Sequence, residues 1–392
     1  MQSADAVVLG AGPAGLALAS ALTAHGLSVI TVDRSIGEGP SIQWPNTYGV
    51  WRDDLRAVNL GHAAQQASTT TVIRTETEWR SLAKSYTLLD NEVVVATLLD
   101  RANDDLLTLR HGTAAFVVQT NETTAADLID GERIEGRLLF DCRGVDPGDA
   151  ATHQVAGGIV ARLRTPYAPG NATVLMDWAG PARAAGSFCY AIPQPSVGPD
   201  VWLIEETILA TRTAAPTTPE SLRDIARQRI EHSLVEELAT EDVMIPLDAH
   251  RPNDLRNVGL AFGARAGYVN PISGYSVMTS LRRADRVAEA AAQSIRLPQN
   301  IRSGAVSGTI WTATDSRRRR IERAGLNVVA DKDQLSCRQF FETFFGLPTN
   351  SWFSYLRGDQ SPTRMLTTMT TMYRAAPKDL RRQLRSLRDK SA

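Results

Sequence analysis

Gly10-Ala11-Gly12-Pro13-Ala14-Gly15 is the cluster whose residue types and spacing most plainly point to chemistry. It follows a short apolar run, Ala6 to Leu9, and opens an Ala/Leu-rich stretch of helical composition from about Ala14 to Ala24. In such a G-x-G-x-x-G pattern the first glycine permits a tight turn and the second lets backbone approach a pyrophosphate. The third packs helix on strand. The helix N-terminus then offers unpaired N–H groups and a partial positive charge to phosphate. His25-Gly26 stops the helix, and Leu27 to Val32 reads as a second strand ended by Asp33, an acidic side chain suited to ribose hydroxyls. That unit fits NAD and FAD equally. A further strand-to-turn signal, Leu260 to Gly267, is followed by Pro271, Gly274 and a helix. It suits the central phosphate and isoalloxazine end of an extended FAD, so FAD is the expected ligand.

Glu205 and Glu206 form the second candidate group. Adjacent residues on a strand point to opposite faces, so only one of the two can enter a cavity. A carboxyl in an apolar pocket would stay protonated near neutrality and act as an acid; two solvated strand carboxylates are the plainer reading. Cys142, Cys189 and Cys337 are far apart and form no C-x-x-C pair. They read as small buried apolar residues, with no zinc site, other metal site or disulfide framework expected. A formal net charge of −1 gives no excess of cations for nucleic acid. No apolar run has the length of a membrane span, and no signal peptide opens the chain, which makes the cytoplasm the expected compartment.

These residues need several elements to position them. A chain of 392 residues exceeds one simple core. The expected fold is α/β: a Rossmann-like FAD-binding domain, a β-rich substrate domain and a helical C-terminal region. The first is discontinuous, 1–70, 91–150 and 255–298; the second takes 71–90 and 151–254; the third is 299–392. Thr71 to Thr87 mixes β-branched and charged residues and should pair outside the Rossmann sheet, and Val93 to Leu107 has apolar residues at helical spacing. Leu138 to Phe140 reads as a strand ending in Asp141-Cys142-Arg143-Gly144. Thr173 to Met176, Ser187 to Ile192 and Val201 to Ile204 read as strands, and helical signals dominate from Arg282.

Gln43-Trp44-Pro45-Asn46-Thr47-Tyr48-Gly49-Val50-Trp51 resembles the W-P-N-x-Y-G-V-W segment of flavoprotein carotenoid (lycopene) cyclases. Ser187 to Pro193 resembles that family's F-x-Y-x-x-P strand, and Leu203-Ile204-Glu205-Glu206-Thr207 resembles its acidic motif. Gly263 to Tyr275 resembles the flavin-end turn of the wider geranylgeranyl reductase and flavoprotein hydroxylase superfamily, and Phe340 to Phe345 with Trp352 the aromatic C-terminal region. Asn270 departs from the histidine of many relatives, which puts a proton-handling role there in doubt.

The resemblance implies a carotenoid cyclase, most simply a lycopene β-cyclase. Protonation of a terminal alkene, ring closure on the tertiary cation and loss of a ring proton leave no net redox change. It implies reduced FAD, with NAD(P)H as an indirect electron source, and a carotenoid substrate, lycopene or γ-carotene. Glu205 is then the key acid, with Glu206 the second catalytic candidate. The cofactor set is Gly10, Gly12, Ala14, Gly15, Asp33, Arg101, Asp141, Gly144, Gly263, Gly267, Pro271 and Gly274. The substrate set is Trp44, Tyr48, Trp51, Tyr190, Phe344 and Trp352; the rings of Trp44, Tyr48 and Trp51 suit cation–π stabilisation or packing, and Phe344 and Trp352 suit a core or a substrate tunnel. A membrane-held substrate implies peripheral membrane association. Two basic runs, Arg317 to Arg320 and the tail cations 374, 378, 381, 382, 385, 388 and 390, read either as solvated helix faces or as contacts to anionic headgroups. The alternative function is an FAD-dependent isoprenoid reductase or hydroxylase of the same superfamily.

Overall fold

The computed structural model describes residues 2–37, 41–65, 70–119, 123–180, 186–212, 218–249 and 259–382. The chain opens with β1 (Gln2–Leu9), α1 (Pro13–Ala24) and β2 (Val29–Asp33). Ala6 to Leu9 are buried, as the unbroken apolar run of a parallel strand requires. Pro13 starts α1 where its missing N–H costs nothing. Then come β3 (Gly49–Trp51), α2 (Arg52–Ala57), β4 (Thr71–Arg74), β5 (Arg80–Leu82), β6 (Tyr86–Leu88) and α3 (Asn91–Asp100). The helical spacing predicted through Leu107 stops short: beyond α3, β7 (Leu107–His111) joins the sheet beside β2. Next come β8 (Ala114–Gln119), β9 (Thr124–Leu128) and β10 (Arg133–Asp141), then β11 (His153–Leu163), β12 (Thr173–Asp177), β13 (Ser187–Pro193) and β14 (Val201–Thr211). The next element, α4 (Pro219–Ile230), is a helix inside the stretch expected to be β-rich. Its Thr218 capping box and inward Leu222, Ala226 and Ile230, four apart, explain it. The remainder is β15 (Leu234–Pro246), β16 (Leu260–Ala261), α5 (Val277–Ser294), α6 (Gln299–Ile310), α7 (Ala313–Val329), α8 (Gln334–Phe345), α9 (Thr349–Arg357) and α10 (Pro362–Ala375).

Two sheets organise these elements. The first runs β7-β2-β1-β10-β9-β8, with β16 parallel to β10. Its β7, β2, β1 and β10 are parallel, whereas β10, β9 and β8 form an antiparallel meander. Helices α1, α3, α5 and α6 share its main core. The second sheet runs β15-β11-β14-β13-β12-β4-β5, so Thr71 to Leu82 pair outside the Rossmann sheet. Helix α4 covers one face through Ala226 and Ile230 against Ile159, Trp202 and Ile204. The other face turns to α7–α10 and their aromatic core. Ribbon β3–β6 lies between the sheets.

Candidate active site

The turn after β1 is built for close approach. Gly10 has φ +101°, and a Cβ there would press on the Cys142 carbonyl. A Cβ on Gly15 would overlap the Gly10 carbonyl oxygen, which brings α1 tight against the turn. At Gly12 a Cβ would meet nothing within 4 Å, so the turn's outer side is open to a ligand. Asp33 braces the loop, accepting from Ala11 N at 2.7 Å and Ser35 N at 2.7 Å. Opposite, Gly263 sits so close to Ala14 that a side chain would overlap it, and Gly267 (φ +81°) and Gly274 (φ +72°) shape the second turn. Pro271 is buried beside Asn270, whose Oδ1 accepts from Ile272 N at 2.8 Å. Asn270 thus closes a turn, work that requires no titratable group.

Several other cofactor candidates have internal partners. The Asp141 carboxylate accepts from Arg143 Nε at 2.9 Å and Nη2 at 2.8 Å, with Arg265 at 3.5 Å. Gly144 (φ +86°) follows it and leads to Val145 in the cavity wall. Arg101 is exposed and binds the carbonyls of Val58 (3.4 Å) and Asn59 (2.8 Å), tying α3 to the end of α2.

Beyond the second turn a cavity of about 440 Å³ lies between the sheets. Alternation along β14 divides its residues cleanly. Leu203, Glu205, Thr207 and Leu209 line the cavity, whereas Trp202, Ile204 and Ile208 pack under α4. Glu205 is 9% exposed, accepts from Thr207 Oγ1 at 2.8 Å, and holds its proton up to about pH 7. Burial is the main cause, the charge of Glu241 adds to it, and the Thr207 hydrogen bond opposes it.

Glu206 does not reach the cavity, contrary to its expected catalytic place. Fully buried on the α4 side, it binds Arg229 Nε at 2.6 Å and accepts from Ser187 Oγ at 2.5 Å. Both oxygens are committed to structure. It belongs to a buried network in which Asp177 binds Arg74 at 2.5 Å and accepts from Tyr167 at 2.8 Å.

The aromatic candidates separate in the same way. Tyr48, Trp51 and Tyr190 line the cavity together with Tyr86 and Tyr275. The phenols of Tyr275, Tyr86 and Tyr190 are hydrogen-bonded in series, and burial pushes all three well above the usual range, keeping them neutral. A side chain at Gly49 would overlap two of those hydroxyls, so glycine is needed there. Trp44 lies apart: its Nε1–H donates to Ala11 O at 2.8 Å, bracing the glycine-rich turn. Trp352 is core, 5.9 Å from Trp51 between ring centres. Phe344 lines a second, apolar pocket of about 60 Å³, which shares Leu209, Ile272, Phe341 and Leu356 with the first cavity.

Tyr86, Tyr275 and Glu241 are cavity residues that sequence reasoning missed. Signals existed: Tyr275 follows Gly274, and the glycine pair Gly157-Gly158 inside an apolar run marks close approach. The basic run 317–320 is partly structural, since Arg318 pairs with Asp315 at 2.9 Å and Arg319 binds the Val269 carbonyl. Tail cations 385, 388 and 390 lie outside the described residues. Among the described residues no helix is long and apolar enough to cross a membrane.

Comparison with known proteins places this geometry. The family model described as lycopene cyclase protein matches residues 5–382. The chain belongs to the lycopene cyclase family. It is 31% identical over 384 residues to an uncharacterized carotenoid cyclase of Deinococcus radiodurans, covering 95% of this chain and 90% of that one. It is 27% identical over 404 residues to the lycopene beta cyclase of Synechococcus elongatus, covering 96% and 94%. Among solved structures, a geranylgeranyl bacteriochlorophyll reductase-like protein from Thermoplasma acidophilum shares the fold. Its TM-score is 0.68 at 12% identity, over 99% of this chain and 100% of that one. Halogenase PltM, solved with phloroglucinol and FAD, aligns with TM-score 0.65 at 10% identity over 98% and 95%. The α/β, Rossmann-type architecture is thus shared with these proteins.

Proposed function

We propose that this family member is a lycopene β-cyclase that works with bound, reduced FAD and no net redox change. The observation that carries the reading is Glu205: a carboxyl protonated to about pH 7 in the wall of an aromatic cavity that adjoins the glycine cradle. Glu205 gives its proton to a terminal alkene, and the neighbouring double bond closes the ring on the resulting tertiary cation. A ring proton then leaves to a base, so the product has the mass of the substrate. Tyr48, Trp51, Tyr86 and Tyr190 supply π faces that stabilise a cation without trapping it.

The cradle fits FAD. The open side of Gly12 and the start of α1 would take the pyrophosphate, Asp33 the ribose, and Gly263 to Gly274 the flavin end. When bound and reduced, FAD supplies negative charge beside the cation, its electrons coming indirectly from NAD(P)H. Thermodynamically such a wall resembles an oxyanion hole of reversed sign. The substrate's apolar length calls for the adjoining pocket at Phe341 and Phe344, and for contact with a membrane surface.

Pigment chromatography after expression in a lycopene-accumulating host tests the reading. Ring-bearing products of unchanged mass are expected. A product heavier by two hydrogens or one oxygen would instead establish the reductase or hydroxylase chemistry of the superfamily. Liposome flotation, with and without charge reversal in the tail, tests membrane association.

A further inference from the structure

Four strands place one row of residues across the cavity face of the second sheet. Tyr190 on β13 is opposite Glu205 on β14; Glu205 is opposite Gly158 on β11; Gly158 is opposite Glu241 on β15. Gly158 has no side chain, and the Glu205 side chain leans over it, with Cβ and Cγ each 3.4 Å from where a Cβ would stand. Two carboxylates of one cavity wall therefore face each other across a single empty position. Glu241 is itself held: its Oε1 accepts from the Thr47 backbone N–H at 3.1 Å, inside the W-P-N-T-Y-G-V-W segment.

We propose that Glu241 is a positioning residue of this site, a fixed negative charge across the Gly158 gap that keeps the proton on Glu205 until an alkene is in place. The other groups around Glu205 do not supply that charge. Tyr190, Tyr86, Tyr275 and Tyr48 are neutral phenols raised by burial, and Thr207 donates to Glu205 and favours its ionised form. Asp54 is pinned between Arg282 (2.7 Å) and Arg357 (2.5 Å), and Asp242 is paired with Arg223 on the α4 side. Glu241 is the carboxylate whose charge acts on Glu205, with burial the larger cause of its retained proton. The Thr47 hydrogen bond couples that charge to the loop lining the cavity, so displacing the loop loosens the acid.

The proposal rests on Glu205 being the acid of the cyclase reading, but its test does not need turnover. Infrared titration of ¹³C-glutamate-labelled protein, with Glu205→Gln identifying the band, follows the Glu205 carboxyl directly. In Glu241→Gln that band should titrate about one pH unit lower than in wild type, the scale of one charge felt over two strand spacings in partly solvated surroundings. Glu241→Asp should restore it, and Glu241→Ser replaces Glu241→Gln if the latter does not fold. Cyclisation should follow in step, the alkaline limb moving down and the rate at pH 7 falling about fivefold. A band and limb at the wild-type position in the charge-removing variant overturn the proposal. Wild-type protein with the coupled band but no cyclisation would sink the cyclase reading and leave the coupling standing.

Discussion

Glu205→Gln should sharply slow cyclisation and stabilise the fold at alkaline pH, for the same physical reason. The carboxyl is raised from its ordinary 4.5 to about 7 by burial, by Glu241 and against Thr207. Between those pH values the folded chain holds a proton that the unfolded chain has released. Wild-type stability from this group is therefore complete below about 4.5 and is lost as pH rises through about 7. At about 1.4 kcal/mol per pH unit, the loss approaches about 3 kcal/mol once both states are ionised. Glutamine has the shape of the protonated acid and can accept the Thr207 hydrogen bond, but it does not titrate. Urea melts of both proteins across pH should show the variant's advantage growing by about 2 to 3 kcal/mol between pH 5 and pH 8. Cyclisation should fall at least about a hundredfold, as loss of a general acid requires. A stability gap that stays flat across pH would refute the assignment of a buried, proton-holding carboxyl to this position.

Thr207→Val removes the hydroxyl that favours ionised Glu205, so the proton is held more tightly and the alkaline limb of the pH–rate profile should rise by about half a unit. Glu206→Gln weakens a buried ion pair with Arg229 and should cost about 3 kcal/mol in urea melts. Because Glu206 lies on the α4 side, turnover per folded molecule should change by less than about threefold, or about 0.7 kcal/mol. Trp44→Phe loses the hydrogen bond to the Ala11 carbonyl and should weaken FAD binding about five- to tenfold in a fluorescence titration, with carotenoid binding unaffected. Equal loss of carotenoid binding would place Trp44 in the substrate wall after all.

The parts of this site that were legible in the sequence are local. The turn at Gly10 to Gly15 is determined by its own backbone: a positive φ at Gly10 and a contact between Gly15 and the Gly10 carbonyl, all within six residues. Strand alternation at Glu205 and Glu206 is equally local, and it correctly allowed only one carboxyl into the cavity. The resemblance pointed to Glu205, but the physical reason Glu206 is excluded is that α4 covers the other face, and α4 was hidden in a stretch dominated by strands. Tyr86 and Glu241 reach the cavity through pairings of distant segments, β6 on β3 and β15 on β11, which no short window contains. Aromatic residues carry the least information. Trp51, Trp44 and Trp352 look alike in sequence, yet one walls the cavity, one braces the glycine-rich turn and one fills the core.

Register is what keeps the two carboxylates of β14 in different chemistry. A slip by one residue would exchange them, sending Glu205 to Arg229 as an ion pair and Glu206 into the cavity. Gly157 and Gly158 oppose such a slip from both faces of β11. On the α4 side a Cβ at Gly157 would overlap the Pro219 carbonyl, so helix and sheet close up only where glycine stands. On the cavity side Gly158 leaves the space that the Glu205 stem occupies. A shift of β11 by one position would bring Ala156 or Ile159 to one of these sites and force helix or acid aside. The pair of glycines therefore does more than relieve crowding. It specifies which glutamate anchors Arg229 and Ser187 and which sits in the cavity wall, although the two share a strand, a sequence context and the same side chain.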